Sequence, residues 1–346
     1  MWYESLAYKG LIPDGIIRLA IRYQLQKYTE HIANLPKKSL HSIQEEFIKT
    51  ASKGPIAIQT LTANSQHYEL PTDFYEMILG DTMKYSGSLW PSKKTNLSAV
   101  DACTLQTYTS RAQLENGHSV LDIGCGWGSL SLYIGTFFDQ CNVTAVTNSS
   151  TQENYINSQI LKQGLSNVRV LKTDINVFQP DQKFERVLSI EMFEHMRNAK
   201  LLMRHINDWL TDEGKLFIQV FTHSRYPQFF DNYSTSWMSR NFFSGGMMPY
   251  IGFHEKISGK LTLQKKWAES GMHYHKTLES WLCNLDSSKK QLLKSVDLGT
   301  FGAPPSLAIN KFRIFLLFCS ELFKYNHGES WQIMNYLFTK PGDKRA

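Results

Sequence analysis

The chain has 346 residues, 42% of them hydrophobic, which suffices for a substantial core in one large α/β domain with additions or in two smaller ones. Its net charge of +6 is mild for this length. The lysines come as scattered pairs (Lys37-Lys38, Lys93-Lys94, Lys265-Lys266, Lys289-Lys290) interrupted by acids, a solvated surface rather than a nucleic-acid stripe.

The five cysteines (Cys103, Cys125, Cys141, Cys283, Cys319) are odd in number, widely spaced and lack a C-x-x-C pair. This argues against a disulfide framework or structural zinc and for a reducing, cytoplasmic setting. No stretch approaches the roughly 18 apolar residues of a membrane span. Even 312–323 is broken by Arg313 and Glu321. Met1-Trp-Tyr-Glu-Ser5 has no basic segment leading into an apolar one, so neither stable membrane insertion nor secretion is expected. The Asn-x-Ser sequons at Asn96, Asn148 and Asn232 then read as chance occurrences.

Residues 1–66 read as a helical N-terminal extension. Leu11, Ile16, Leu19, Ala20, Tyr23 and Leu25 form an imperfect apolar stripe expected to pack on the main domain, and Ser42-Ile-Gln-Glu45 resembles a capping box ahead of Phe47. The polar face (Asp14, Arg18, Arg22, Gln26, Glu30) is not basic enough for a membrane-surface helix. The run from Gln66 to Tyr75 leads into a helix with Thr72 as its cap, and Met83-Lys-Tyr-Ser-Gly-Ser-Leu-Trp90 follows.

A main domain is expected over 67–340, with 341–346 as a tail. Ser119-Val-Leu-Asp-Ile-Gly-Cys-Gly-Trp-Gly-Ser-Leu130 reads as a buried strand, a glycine turn and the start of a helix. The regular alternation that follows comprises strands at 142–147, 168–172, 186–190 and 215–221, with helices near 129–138, 152–163 and 201–210. It implies a doubly wound parallel sheet, whose ligands bind at the carboxyl ends of strands. The glycine spacing is G-x-G-x-G and the next strand ends in Asn148-Ser-Ser-Thr-Gln152 without an acid, which disfavours a nicotinamide dinucleotide. From about 222 to 276 the alternation stops, and Gly245-Gly246 and Pro249 punctuate an aromatic-rich segment read as an inserted cap over that edge. The tail resumes helical patterning at Leu278, Trp281 and Leu282 and ends in an alternating strand, Trp331 to Phe338.

Asp122-Ile-Gly-Cys-Gly-Trp-Gly128 resembles the S-adenosylmethionine loop of class I methyltransferases. Together with Tyr85-Ser86, Asn148 to Gln152, Ser189-Ile-Glu-Met-Phe-Glu-His-Met196 and Phe242-Phe-Ser-Gly-Gly-Met-Met-Pro249, the chain from about His67 to Lys340 resembles the coclaurine N-methyltransferase-like proteins. These belong to the wider cyclopropane-fatty-acid-synthase superfamily. The resemblance implies S-adenosyl-L-methionine as cofactor, held by Tyr85, Ser86, Asp122, Gly124, Gly126, Asn148, Gln152 and Asp174. Taken alone, Asn148 and Gln152 could equally be a helix cap and an exposed first turn.

It also implies Glu191, Glu194 and His195 as the catalytic cluster, with His195 as base and the carboxylates orienting an amine. An alkylammonium of pKa near 10 costs about 4 kcal/mol to neutralise at pH 7, which gives such a base a purpose. His195 is expected to titrate near neutrality. Trp237, Phe242, Phe243, Trp281, Phe312 and Phe315 are candidates for an aromatic acceptor cage. No metal is required, and His273-x-His275 lacks a ligand pattern around it.

The expected activity is N-methylation of a small aromatic-bearing amine, of the coclaurine or tetrahydroisoquinoline type. The alternative is methylene transfer to an unsaturated acyl lipid, for which the cyclopropane enzymes use a bicarbonate held partly by a Cys where this chain has Gly87, and a strand-five His where it has Gln219. No nucleic-acid partner is expected, since no Asn/Asp-Pro-Pro-Tyr/Phe tetrad occurs, and a homodimer stays open.

Overall fold

A computed structural model describes residues 2–58, 70–91, 95–231, 236–295 and 304–341. The boundary expected at 66/67, the lead-in from Gln66, Lys93-Lys94, the Asn232 sequon and all but Pro341 of the expected tail lie outside the described residues.

Seven strands form one mixed sheet: β1 (Ser119–Ile123), β2 (Asn142–Thr147), β3 (Val168–Lys172), β4 (Phe184–Ile190), β5 (Leu210–His223), β8 (Thr262–Ser270) and β9 (Trp331–Thr339). Their spatial order is β3-β2-β1-β4-β5-β9-β8. The first five pair in parallel, whereas β9 inserts antiparallel between β5 and β8. Parallel strands need both faces covered, and the alternation of side chains supplies this. Leu121, Val187, Leu216 and Ile218 pack toward helix Ala199–Trp209. Val120, Leu188 and Phe217 pack on the opposite face with Leu105, Tyr108, Leu130 and Ile134.

Strand β8 was not foreseen, because its segment had been assigned to the inserted cap. Its burial pattern is mostly intermediate and exposed, as befits a sheet edge, so the apolar run that marks an inner strand is missing. What remains over the carboxyl edge is a ribbon of β6 (Gln228–Phe229) and β7 (Met247–Met248) with the short helix Trp237–Asn241.

A separate apolar cluster joins helices Asp14–Ala33, Thr72–Leu79, Gly271–Ser295 and Pro305–Lys324 beside that edge. The first of these docks by a face that shares only Leu25 with the expected stripe. Ile21, Leu25 and Ile32 are buried, while Leu11, Ile16, Leu19 and Tyr23 remain 59–65% exposed. Ion pairs select this face. Arg18 and Arg22 both reach the buried Glu321, at 2.8 and 2.6 Å; Arg18 also contacts Glu279, and Arg313 bonds Asp14 at 2.6 Å.

Two expected caps are absent. Helix Lys37–Thr50 runs through Ser42–Glu45, and Pro36 precedes it; Thr72 is itself helical, with Pro71 before it. A proline stands at the cap position of both helices, where its fixed φ presets the chain's entry but its side chain accepts no hydrogen bond from the first turn.

Candidate active site

After β1 the chain turns through Gly124, Gly126 and Gly128, all left-handed at φ +73, +55 and +80°. Two of these positions are also sterically closed. A Cβ on Gly124 would sit 2.6 Å from Met192, and one on Gly128 2.7 Å from Ile156. At Gly126 a Cβ would meet nothing within 4 Å, because this glycine faces an open cleft.

Asp122 is buried beneath the turn, accepts from Ser131 Oγ at 2.6 Å, and has its carboxyl pushed up to about 6 by burial. At the end of β2, Ser149 caps helix Ser150–Gln163 by accepting from the Gln152 amide. Asn148 is therefore not the cap. Gln152 accepts from Thr147 Oγ1 at 2.6 Å, and its buried Nε2 has no partner among the described residues. Asp174 accepts from the Asn176 amide at 2.8 Å.

All eight residues expected to hold the cofactor, namely Tyr85, Ser86, Asp122, Gly124, Gly126, Asn148, Gln152 and Asp174, line this one cleft. An orphaned amide donor, a buried carboxyl and a glycine with open space in front fit S-adenosylmethionine, which needs partners at its amino acid, ribose and base.

Lys84, Trp127 and the stretch Ala57-Ile58 line the same cleft and were not anticipated as site residues. Lys84 is 1% exposed and donates to the Ser86 carbonyl, Ser86 Oγ and the Gly87 carbonyl at 3.0, 2.9 and 2.7 Å. Burial lowers its pKa to about 8, opposed by the charges of Asp101 and Glu191.

The catalytic candidates separate by depth. Glu191 follows β4 in a left-handed conformation, φ +51°, pinned by its amide donating to the Gln219 carbonyl at 2.8 Å. Burial raises its pKa, opposed first by the Lys84 ammonium and then by donors from Tyr274, Gly87 and Gln219. His195 is held neutral at ordinary pH, its pKa lowered to about 4 by burial, so it does not titrate near neutrality as expected. Glu194 is fully buried behind the wall of the site rather than at its mouth. One oxygen accepts from the Phe221 amide at 2.6 Å, the other has no partner among the described residues, and burial pushes its carboxyl well up. The cause is the 3-10 turn Phe193–His195, in which successive side chains point about a third of a turn apart.

Beside the cleft lies a second cavity of about 400 Å³ with mainly apolar walls. Of the expected cage, Phe243, Trp281 and Phe315 line it. Trp237, Phe242 and Phe312 stand one layer behind: Trp237 Nε1 donates to Tyr8 at 2.6 Å, Phe242 stacks on Phe315 at 4.4 Å, and Phe312 meets Phe74 edge-on at 5.1 Å. Leu25, Tyr28, Phe221, Tyr274, Phe323 and Trp331 add to the walls from five elements of the fold, which no local pattern announces. The rings of His273 and His275 serve helix Gly271–Ser295, accepting from the Trp90 amide at 2.9 Å and bonding Ser320 Oγ at 2.8 Å respectively.

Residues 57–333 match the mycolic acid cyclopropane synthetase family. The chain is similar to (S)-coclaurine N-methyltransferase of Thalictrum flavum subsp. glaucum, 34% identical over 96% of this chain and 93% of that protein. Its structure is similar to that of coclaurine N-methyltransferase bound to N-methylheliamine and SAH, with a TM-score of 0.93, 30% identity, and coverage of 98% of this chain and 99% of the other. A cyclopropane synthase from Mycobacterium tuberculosis shares the fold at a TM-score of 0.69 and 21% identity, over 82% of this chain and 99% of that one.

Proposed function

The chain belongs to the mycolic acid cyclopropane synthetase family of S-adenosylmethionine-dependent methyltransferases, and from that premise we propose that it methylates the nitrogen of a small aromatic-bearing amine of the tetrahydroisoquinoline type. The observation that carries this reading is a shared wall. Tyr85, Glu191 and His195 line both the cofactor cleft and the apolar cavity, so a donor in one and an acceptor in the other meet across these three side chains.

When bound, the cofactor supplies a methyl group on a cationic sulfonium, and its transfer moves positive charge to the acceptor nitrogen. Glu191, fixed at that wall, favours charge arriving at the nitrogen. His195 is neutral and can accept a hydrogen bond from the N–H of an amine that arrives as the free base, since a ring with a pKa of about 4 does not hold a proton taken from an ammonium with a pKa near 10. Aromatic walls exclude water and orient the amine's rings. Glu194, behind them, acts as a support for the turn that carries His195.

Lipid methylenation is less well supported. Gly87 stands where the cyclopropane enzymes carry a Cys, and its missing side chain leaves space that the Tyr274 ring occupies. No helix among the described residues is long and apolar enough to cross a membrane, and a cytoplasmic location belongs to this proposal. The test is turnover of labelled S-adenosylmethionine on a panel of cyclic amines and on unsaturated phospholipid. Methylated amine supports the reading, and methylene transfer to lipid with no amine accepted overturns it.

A further inference from the structure

Glu191 is held from three sides. Its Oε1 accepts from the Gly87 amide and from Gln219 Nε2, both at 3.0 Å, and its Oε2 accepts from the Tyr274 hydroxyl at 2.7 Å. A carboxylate offers about four acceptor positions, so Oε1 is filled and Oε2 keeps a single one, whose direction follows from the Tyr274 bond. Tyr274 comes from helix Gly271–Ser295, outside the β1–β5 half of the sheet that carries the cofactor cleft. Its ring stacks on Phe323 at 4.4 Å and lies edge-on to Trp281 at 6.4 Å, so it reaches Glu191 in a fixed orientation. It also passes over Gly87 so closely that a Cβ there would stand 2.9 Å from its Cγ.

Packing alone does not require the hydroxyl, since phenylalanine would fill the same volume. We propose that Tyr274 is a positioning residue for methyl acceptance. It aims the one open acceptor position of Glu191 at the acceptor's nitrogen, and the missing side chain at Gly87 is what admits its ring. Tyr274 also lines the acceptor cavity, so the same residue forms its wall and sets its anion. This rests on the N-methyltransferase reading. Besides Tyr274, the charged and titratable groups around the carboxylate are Lys84 beside the Tyr85–Gly87 loop, Tyr108 from helix Leu97–Arg111, and Glu194 and His195 from the turn after β4. None of these is altered by the variants below.

The experiment compares wild type, Tyr274→Phe and Gly87→Ala for amine kinetics from pH 6 to 10, for SAH binding by calorimetry and for melting temperature. A lost hydrogen bond to a charged group raises KM for the amine about 10- to 100-fold. Removing a donor to the charged form moves the acid limb of kcat/KM to higher pH, with SAH affinity unchanged. Gly87→Ala, which displaces the ring, reproduces both effects. If Tyr274→Phe leaves KM and the acid limb where they were, or if SAH affinity falls in parallel with amine turnover, the hydroxyl has no positioning role. Wild type that methylates no amine overturns the N-methyltransferase reading and this inference with it, whereas active wild type beside an unchanged Tyr274→Phe overturns this inference alone.

Discussion

Lys84 Nζ lies 2.7 Å from the carbonyl oxygen of Gly87, so a fully buried ammonium ties down the residue whose own amide holds Glu191. The candidate cofactor cleft and the Glu191 carboxylate thus depend on one short loop. In Lys84→Met the apolar chain would fit, but the Ser86 carbonyl and hydroxyl would lose this donor, while the Gly87 carbonyl would keep only the Tyr108 hydroxyl at 3.2 Å among the described residues. We expect a destabilisation of about 1–3 kcal/mol, the range for orphaned buried polar groups, together with weaker SAH binding and lower turnover. Urea denaturation and calorimetry check this, and a variant with unaltered SAH affinity would show that the ammonium does not organise the loop.

Gly126 has left-handed φ and open space before it, so Gly126→Val separates binding from folding. A β-branched residue in this conformation costs about 1–2 kcal/mol, which a core of this size should tolerate. Its side chain would occupy the cleft, and SAH affinity should fall at least about 100-fold, as 2.7 kcal/mol of blocked contact implies. Retained affinity in a folded protein would place the cofactor elsewhere.

Burial keeps His195 neutral down to about pH 4, so the rate should carry no break near 6.5 from this ring. Between pH 6 and 9, kcat/KM should instead rise with the fraction of free amine. His195→Ala should lower kcat/KM about tenfold, the worth of one hydrogen bond, with the same pH profile as wild type. NMR of the His195 ring checks the titration directly; a midpoint near 6.5 would reinstate the ordinary histidine switch.

Asp14, Glu279 and Glu321 fasten helix Asp14–Ala33 through Arg313, Arg18 and Arg22, and all three carboxyls have lowered pKa values. For Glu279 and Glu321 burial is the largest influence and raises the pKa, but the arginine bonds together outweigh it. Because the folded values lie below the unfolded ones, this stabilisation is complete above the ordinary carboxylate range and is lost as pH falls through the folded values. The helix should therefore loosen below about pH 4, where the unfolded carboxyls are themselves protonated, and should uncover the cavity walled by Leu25 and Tyr28. Hydrogen exchange at pH 3.5 and 7 measures this, and equal protection of residues 14–33, after correction for intrinsic rates, would assign the docking to apolar contacts alone.

The same helix gives a contrast between two leucines. Leu25 is 5% exposed and Leu19 is 65% exposed. Leu25→Ala should cost about 2–4 kcal/mol in unfolding free energy, whereas Leu19→Ser should fall within about 0.5 kcal/mol of wild type. Similar losses for both would mean that the outward stripe is covered in solution.

The local chemistry of the cofactor site was legible in the sequence because each part of it is short-range. Val120 to Gly128 carries a buried run, an acid and three glycines in nine residues, the pattern of a covered strand entering a turn. Strands repeating with crossover helices then bring their carboxyl ends together, which placed Asn148, Gln152, Asp174 and Glu191 around the same opening before any coordinates. His195 was equally visible, four residues after Glu191, but its charge state was not, since the burial that lowers its pKa comes from neighbours distant in sequence such as Phe243.

Only the tertiary structure decided what surrounds the acceptor. Leu25, Tyr274, Phe315 and Trp331 meet across some three hundred residues of chain, and none sits in a pattern that distinguishes a cavity wall from an ordinary core position. The docking face of helix Asp14–Ala33 was misjudged for a related reason. Hydrophobic periodicity counts apolar area, whereas here ion pairs to Glu279 and to the buried Glu321 on other helices select the face that turns inward. Sequence fixes what a segment can do alone; which of two usable faces is buried, and whether a carboxylate such as Glu191 is held or free, depends on donors that arrive from elsewhere in the chain.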